Sequence, residues 1–192
     1  FLVTNISCAQ KSPRLQTDGT INGTKVMIDY GAPSVKGRTI WGSLEKYGQV
    51  WRAGANENTT VSFDKDVNIG GESLAAGKYG FFLIPNENGE WVAIFSKKND
   101  AWGAFSYSEA EDALRLTIKA EFVDDVQEQL MYAIDNSGIV FAGTFSACTT
   151  STKGVTPTRE MAAKSLTGWY EKAVGCKAGL MALAAILPSP MV

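Results

Sequence analysis

Apolar and polar residues alternate with a period of two over much of this chain. Between Thr24 and Tyr30, Val26, Ile28 and Tyr30 fall on one side and Lys25, Met27 and Asp29 on the other, which predicts a half-buried strand. The same period returns in Thr59, Val61 and Phe63, in Leu114, Leu116 and Ile118 against Arg115, Thr117 and Lys119, and in Leu130, Tyr132 and Ile134. Tyr79 to Pro85 and Glu90 to Ser96 are denser apolar runs, separated by the turn Asn86-Glu87-Asn88-Gly89. Gly70-Gly71 after Val67-Asn68-Ile69 reads as a two-residue hairpin. Lys97-Lys98-Asn99-Asp100 is a polar connection into the aromatic stretch Trp102 to Tyr107, and Asp135-Asn136-Ser137-Gly138 leads into Ile139 to Phe145. Roughly eight short strands without intervening helices predict an all-β, antiparallel β-sandwich or jelly roll, with a closed barrel as the neighbouring architecture.

Three regions leave this pattern. From Ser34 to Thr60 neither strand nor helix period persists, which predicts a long irregular loop with at most one helical turn over Ser43 to Tyr47. After about residue 145 the chain turns helical in character. Thr156-Pro157 suits a helix start, Met161, Ala162, Leu166, Trp169, Tyr170 and Ala173 share one face, and Gly175 suits a stop. The apolar run Ala178 to Leu187 is ten residues long, against the roughly 20 that a helix needs to span a bilayer. A docked helix, an interfacial segment and a disordered end are all open readings of it. At the other end, residues 1–9 read as the remnant of a signal peptide, with Ser7 and Ala9 as small residues before a cleavage point at Gln10. The expected division is therefore a signal remnant over 1–9, a β-sandwich domain over 10–145 and a C-terminal extension, helical or poorly ordered, over 146–192. Export to the periplasm or the medium follows from the signal remnant. Lipid anchoring through Cys8 is the lesser alternative, because Asn5 stands where a lipoprotein signal prefers Leu.

Composition narrows the chemistry. A chain of 192 residues, 45% hydrophobic and 20% charged, suits one globular domain. A net charge of -2 and the absence of any basic run give no reason to expect nucleic acid as a partner. There is no histidine, so the usual base for a Ser or Cys nucleophile and the usual zinc ligand are missing. No CxxC pair suggests a metal, and no motif calls for a cofactor. With Cys8 in the signal, Cys148 and Cys176 remain as thiols that an oxidising compartment would allow to pair. Oligomeric state is open, since exposed sheet edges allow pairing between chains without requiring it.

Candidate binding residues concentrate in the loop: Lys36, Arg38, Trp41, Tyr47, Trp51, Arg52, Asn56 and Glu57, with Trp102 as a wall. Loops on a rigid scaffold carry binding and catalysis disproportionately. The aromatic residues suit a stacking platform for a sugar ring or another flat ligand, and they equally suit a buried plug. Arg52 and Glu57 suit a fork of donors and a carboxylate around a ligand, or pairing within the loop. Asn56 and Gly54 suit positive φ in a turn. Lys36 and Arg38 lack the phosphate-binding context of a strand followed by a helix, and a solvated turn is the stronger reading. Asp29, Glu57 and Asp64 raise a carboxylate-based, glycosidase-like hydrolase as the alternative. A structural envelope protein with a self-satisfied loop is the third class.

Several of these residues also carry a resemblance. Ser12-Pro13-Arg14, Asp29-Tyr30, Ser34-Val35-Lys36-Gly37-Arg38, Ile40-Trp41-Gly42 and above all Val50-Trp51-Arg52-Ala53-Gly54-Ala55-Asn56-Glu57 resemble the exported bacterial family DUF2911. The likeness continues through Leu74-Ala75-Ala76-Gly77-Lys78-Tyr79, Ile84-Pro85 and Trp102-Gly103-Ala104-Phe105, covering about residues 12 to 142. It implies an exported β-rich domain and brings no activity with it. The chain departs from the family's pattern after Ala142, where a last strand rich in charged and aromatic residues is expected. The reading that follows from all of this is a non-catalytic domain that binds a small molecule or glycan.

Overall fold

The computed structural model describes residues 11–123, 127–135, 138–142, 177–183 and 186–188. The strands are β1 (Arg14–Ile21), β2 (Thr24–Gly31), β3 (Thr59–Phe63), β4 (Val67–Ile69), β5 (Glu72–Leu74), β6 (Gly77–Ile84), β7 (Glu90–Ser96), β8 (Asp112–Val123), β9 (Met131–Asp135), β10 (Gly138–Ala142), β11 (Lys177–Leu183) and β12 (Ile186–Pro188). Nine of them form one sheet in the order β1-β2-β3-β6-β7-β8-β11-β10-β9, and β12-β4-β5 form a second. Every neighbouring pair is antiparallel. The all-β antiparallel class expected from the alternation is the one observed.

The large sheet curls until its two edges meet. Gly19 of β1 lies so close to β9 that a Cβ there would stand 2.6 Å from Ile134 Cγ2. Tyr30 and Tyr132 pack edge to face with centroids 4.7 Å apart, and Tyr132 N donates to Tyr30 Oη at 3.3 Å. Such a curl brings alternate residues of each strand inward. In β2 these are Thr24, Val26, Ile28 and Tyr30, all buried, with Lys25 and Met27 outside. Val61, Phe63, Phe81, Leu83, Trp91 and Phe95 complete the centre of the core.

β6 and β7 do not alternate between wet and dry faces, because both of their faces are covered. Phe82 and Ile94, on the opposite side from Phe81 and Phe95, are fully buried. Tyr107 packs on Phe82 with ring centroids 5.2 Å apart. The aromatic stretch Trp102 to Tyr107 is thus no strand. It crosses the outer face of the sheet and ends in a 3-10 turn at Glu109–Glu111.

Two hairpins follow from turn chemistry. Gly70 (φ 63°) and Gly71 (φ 94°) join β4 to β5 as expected, since a two-residue turn of this hand needs positive φ at both positions. Asn22 (φ 48°) and Gly23 (φ 80°) do the same between β1 and β2. β1 itself is absent from the sequence reading, which begins the sheet at Thr24. Its residues are polar and mostly exposed, as an edge strand permits, so it has little apolar alternation to detect.

Two further expectations change. Ser43 to Tyr47 makes no helical turn. Gly42 and Glu45 exchange a backbone bond, Gly42 N to Glu45 O at 2.9 Å, within a tight irregular turn. Of the apolar run Ala178 to Leu187, which the sequence leaves open between a docked helix, an interfacial segment and a disordered end, the described residues 178–183 and 186–187 lie in β11 and β12. β11 pairs with β8 and β10, and β12 pairs with β4. The predicted helix from Thr156, the signal remnant, and Cys148 and Cys176 lie outside the described residues.

Candidate functional site

The loop between β2 and β3 is irregular, as expected, and it is held like a strand. Trp51 and Leu83 exchange two backbone bonds at 2.7 and 2.9 Å, and Gly48 N donates to Pro85 O at 2.8 Å. Val35 N donates to Glu128 O at 2.8 Å, and Leu130 N to Pro33 O at 2.9 Å. The stretch Asn56 to Asn58 runs beside Ala101 to Gly103, with Asn58 N donating to Ala101 O at 2.9 Å and Gly103 N to Asn56 O at 3.0 Å. These bonds meet the requirement that backbone polar groups find partners even where no regular ladder exists.

One carbonyl fixes the bend at the centre of the motif. Ala53 has φ 52°, and its oxygen accepts from Thr59 Oγ1 at 3.0 Å and from Tyr132 Oη at 2.7 Å. Gly54 is needed for a close approach and not for positive φ. A Cβ there would lie 2.6 Å from Thr59 Oγ1 and 2.9 Å from Gly31 O. Asn56 does take positive φ, at 64°.

The predicted binding residues separate into two groups. Trp41 and Trp51, only 8% and 6% exposed, do not form an open platform. Their rings meet edge to face at 5.1 Å, and Trp41 meets Trp91 at 4.5 Å. Burying such large apolar faces in the core outweighs presenting them to a ligand. Tyr47 packs partly buried against the same core. Arg38 folds back on its own loop, donating to Val35 O at 2.9 Å and Ser34 O at 2.6 Å. Lys36 occupies an exposed turn at φ 51°, and its backbone N–H donates to Glu128 Oε1 at 2.9 Å. These five belong to the scaffold of the loop.

Arg52, Asn56, Glu57 and Trp102 come together at the other end of the loop. Trp102 is 56% exposed, and Phe105, three residues on, is 90% exposed. Gly103 between them has φ 69°, and a Cβ on it would lie 2.7 Å from Arg52 Nη1 and 3.1 Å from the Phe105 ring. Beside this turn a cleft of about 300 Å3 is lined by Lys11, Ser12, Arg14 and Glu57. Lys11 Nζ donates to Glu57 Oε1 at 2.9 Å and stands 5.1 Å from the centroid of the Trp102 ring. Asn56 Nδ2 donates to Ser12 O at 3.4 Å, tying the N-terminal strand lead to the loop.

Arg14 anchors the floor. Its Nε meets Asp29 Oδ1 at 2.6 Å, and its two terminal nitrogens donate to the carbonyls of Asp29, Glu57 and Asn58. Sequence reasoning missed Lys11, Arg14 and Phe105 as site residues. Arg14 stands in the Ser12-Pro13-Arg14 motif of the resemblance, which assigns it no role, and no local pattern marks Lys11; both reach Glu57 across more than forty residues of chain. Phe105 had a signal, two aromatics three apart around a glycine in a segment without alternation.

The three carboxylates that raise the hydrolase alternative, Asp29, Glu57 and Asp64, each have another partner. A glycosidase needs one carboxyl kept protonated by its surroundings. The hydrogen bond from Lys11 holds the Glu57 carboxyl below its ordinary range instead. Asp29 is engaged by Arg14, and Asp64 caps Lys25 N at 2.7 Å at the far end of β2. Carboxyls raised by desolvation are Glu45, tempered by Arg52 and Arg38, and Asp112, which accepts from Tyr107 Oη at 2.7 Å. Among the described residues no cluster of three or more metal-ligating side chains occurs. Among them, too, no helix is long and apolar enough to cross a membrane.

An antiparallel all-β protein with a rigid irregular loop and a ring-bearing rim is the class that fold and site together define. More particularly, the chain belongs to the family described as "Protein of unknown function (DUF2911)", whose pattern matches residues 12–141. That span includes the loop motif and the rim. No curated protein matches the chain, and no solved structure matches it.

Proposed function

We propose that this protein is a non-catalytic binding domain whose ligand is a small ring-bearing molecule or glycan taken at the rim formed by Trp102, Phe105, Arg52 and Glu57. The observation that carries the reading is the exposure of two aromatic rings in one turn, beside a charged cleft. Exposed apolar area is unfavourable at roughly 25 cal/mol per Å2. Clustered rings with polar neighbours are a common form of ligand and partner surface. Trp102 and not Trp51 is therefore the stacking surface, and the loop supplies Arg52 and Glu57 at its border.

The experiment is a titration of tryptophan fluorescence with a panel of mono- and disaccharides, run beside thermal shift. A ligand selective for the native state raises apparent stability. Hits are expected to lose their fluorescence response in Trp102→Ala and to weaken in Phe105→Ala. Hits that survive Trp102→Ala unchanged would remove the rim from consideration. We also propose export, supported by the small-residue pattern Ser7-Cys8-Ala9 before a polar turn. Fractionation of cells expressing the native gene tests it, and a wholly cytoplasmic product would refute it.

A further inference from the structure

Lys11 is a side chain from elsewhere in the chain that already occupies the rim. Its ammonium meets both a carboxylate, Glu57, and the face of an indole, Trp102. A carboxylate with an aromatic face is the pairing that recognises an ammonium group, one supplying charge and hydrogen bonds and the other the negative face of its ring. We propose that the Glu57–Trp102 pair is a binding site for the ammonium group of a ligand, such as an amino sugar, and that Lys11 is its internal, displaceable stand-in. This rests on the rim being the binding surface and adds the ligand's charge.

Three observations support displacement. The Lys11 and Glu57 side chains are 61% and 44% exposed, and exposed ion pairs of this kind contribute little to stability. Lys11 sits ahead of β1, so its side chain can swing away without disturbing a ladder. Glu57 and Trp102 stay in place when it does, because the backbone of Asn56 to Asn58 is bonded to that of Ala101 to Gly103. The neighbouring cations do not oppose an incoming charge fully. Arg14, whose charge also reaches Glu57, is ion-paired with Asp29, and Arg52 turns its Nε to the Gly54 carbonyl at 3.3 Å.

The test compares D-glucosamine, D-glucose and n-butylamine, at constant ionic strength, by the indole N–H signal of Trp102 in NMR. Glucosamine is expected to bind more tightly than glucose by roughly fivefold or more. Lys11→Met is expected to tighten glucosamine several-fold by removing the competitor, and Glu57→Gln to abolish the preference for glucosamine over glucose. Equal binding of the two sugars, or a Lys11→Met variant no tighter for glucosamine, overturns the ammonium site and leaves the ring-binding rim standing. Butylamine moving the Trp102 signal while neither sugar does supports the ammonium site and defeats the glycan reading. Silence from all three probes in Lys11→Met overturns the ammonium site.

Discussion

Gly31 shows how much of the loop's placement rests on one missing atom. A Cβ at this position would stand 2.0 Å from the carbonyl oxygen of Ala55, and the bond from Ala55 N to Gly31 O at 3.1 Å would be lost as the loop parted from β2. Gly31→Ala is expected to cost on the order of 3 kcal/mol or more in urea denaturation, as overpacking against backbone does. Gly37→Ala is the control. Gly37 has φ 67° with open space around it, so only the left-handed backbone penalty applies, about 1 to 2 kcal/mol. Equal losses in the two variants would refute this account of Gly31. Tyr132→Phe removes one of the two donors to Ala53 O and leaves Thr59 in place. It is expected to cost about 1 kcal/mol, with the Trp102 signal unmoved because the Asn56–Asn58 pairing survives.

At the scale of elements, the loop and the crossing segment behave as one unit joined through Asn56 to Asn58 and Ala101 to Gly103. Lys11 clamps that unit from outside through Glu57. Glu57 has its folded pKa lowered chiefly by the Lys11 hydrogen bond. A depressed carboxyl contributes stability above its unfolded pKa, and that contribution fades as pH falls through the folded value. The Lys11 contact with Trp102 is therefore expected to hold through neutral and mildly acidic pH and to release below the ordinary glutamate range. An acid titration of the Trp102 indole signal reads this directly. In Lys11→Met the transition should vanish, and its persistence there would show that another group moves the ring.

For the whole molecule, the fold takes phenols out of water, Tyr30, Tyr79 and Tyr132 in full and Tyr47 and Tyr107 in part. Tyr30, Tyr47, Tyr79, Tyr107 and Tyr132 all have their pKa raised, each first by desolvation. A tyrosine raised in the folded state gives its full stabilising share below its unfolded pKa of 10.0, and loses it as pH climbs toward the folded value. The protein is expected to lose stability progressively above that pH. Phenolate absorbance should rise together with loss of near-ultraviolet circular dichroism, as a cooperative step. Five phenols titrating smoothly at the ordinary value in a still-folded protein would contradict the burial described.

The sequence by itself determined the all-β antiparallel class, the β4–β5 hairpin and the irregularity of the Ser34–Thr60 loop, because period and turn chemistry are local properties. It also carried the family, through the contiguous motif Val50 to Glu57. It did not reveal β1, whose exposed edge position leaves no apolar alternation. It left Trp51 and Trp102 equivalent, since an indole reads the same in either setting. Tertiary structure alone decided that one packs against Trp41 in the core and the other faces solvent under Lys11. The reason is physical: which ring is buried depends on where the curled sheet closes, and the Lys11–Glu57 pair depends on residues 46 apart in sequence being brought within a hydrogen bond.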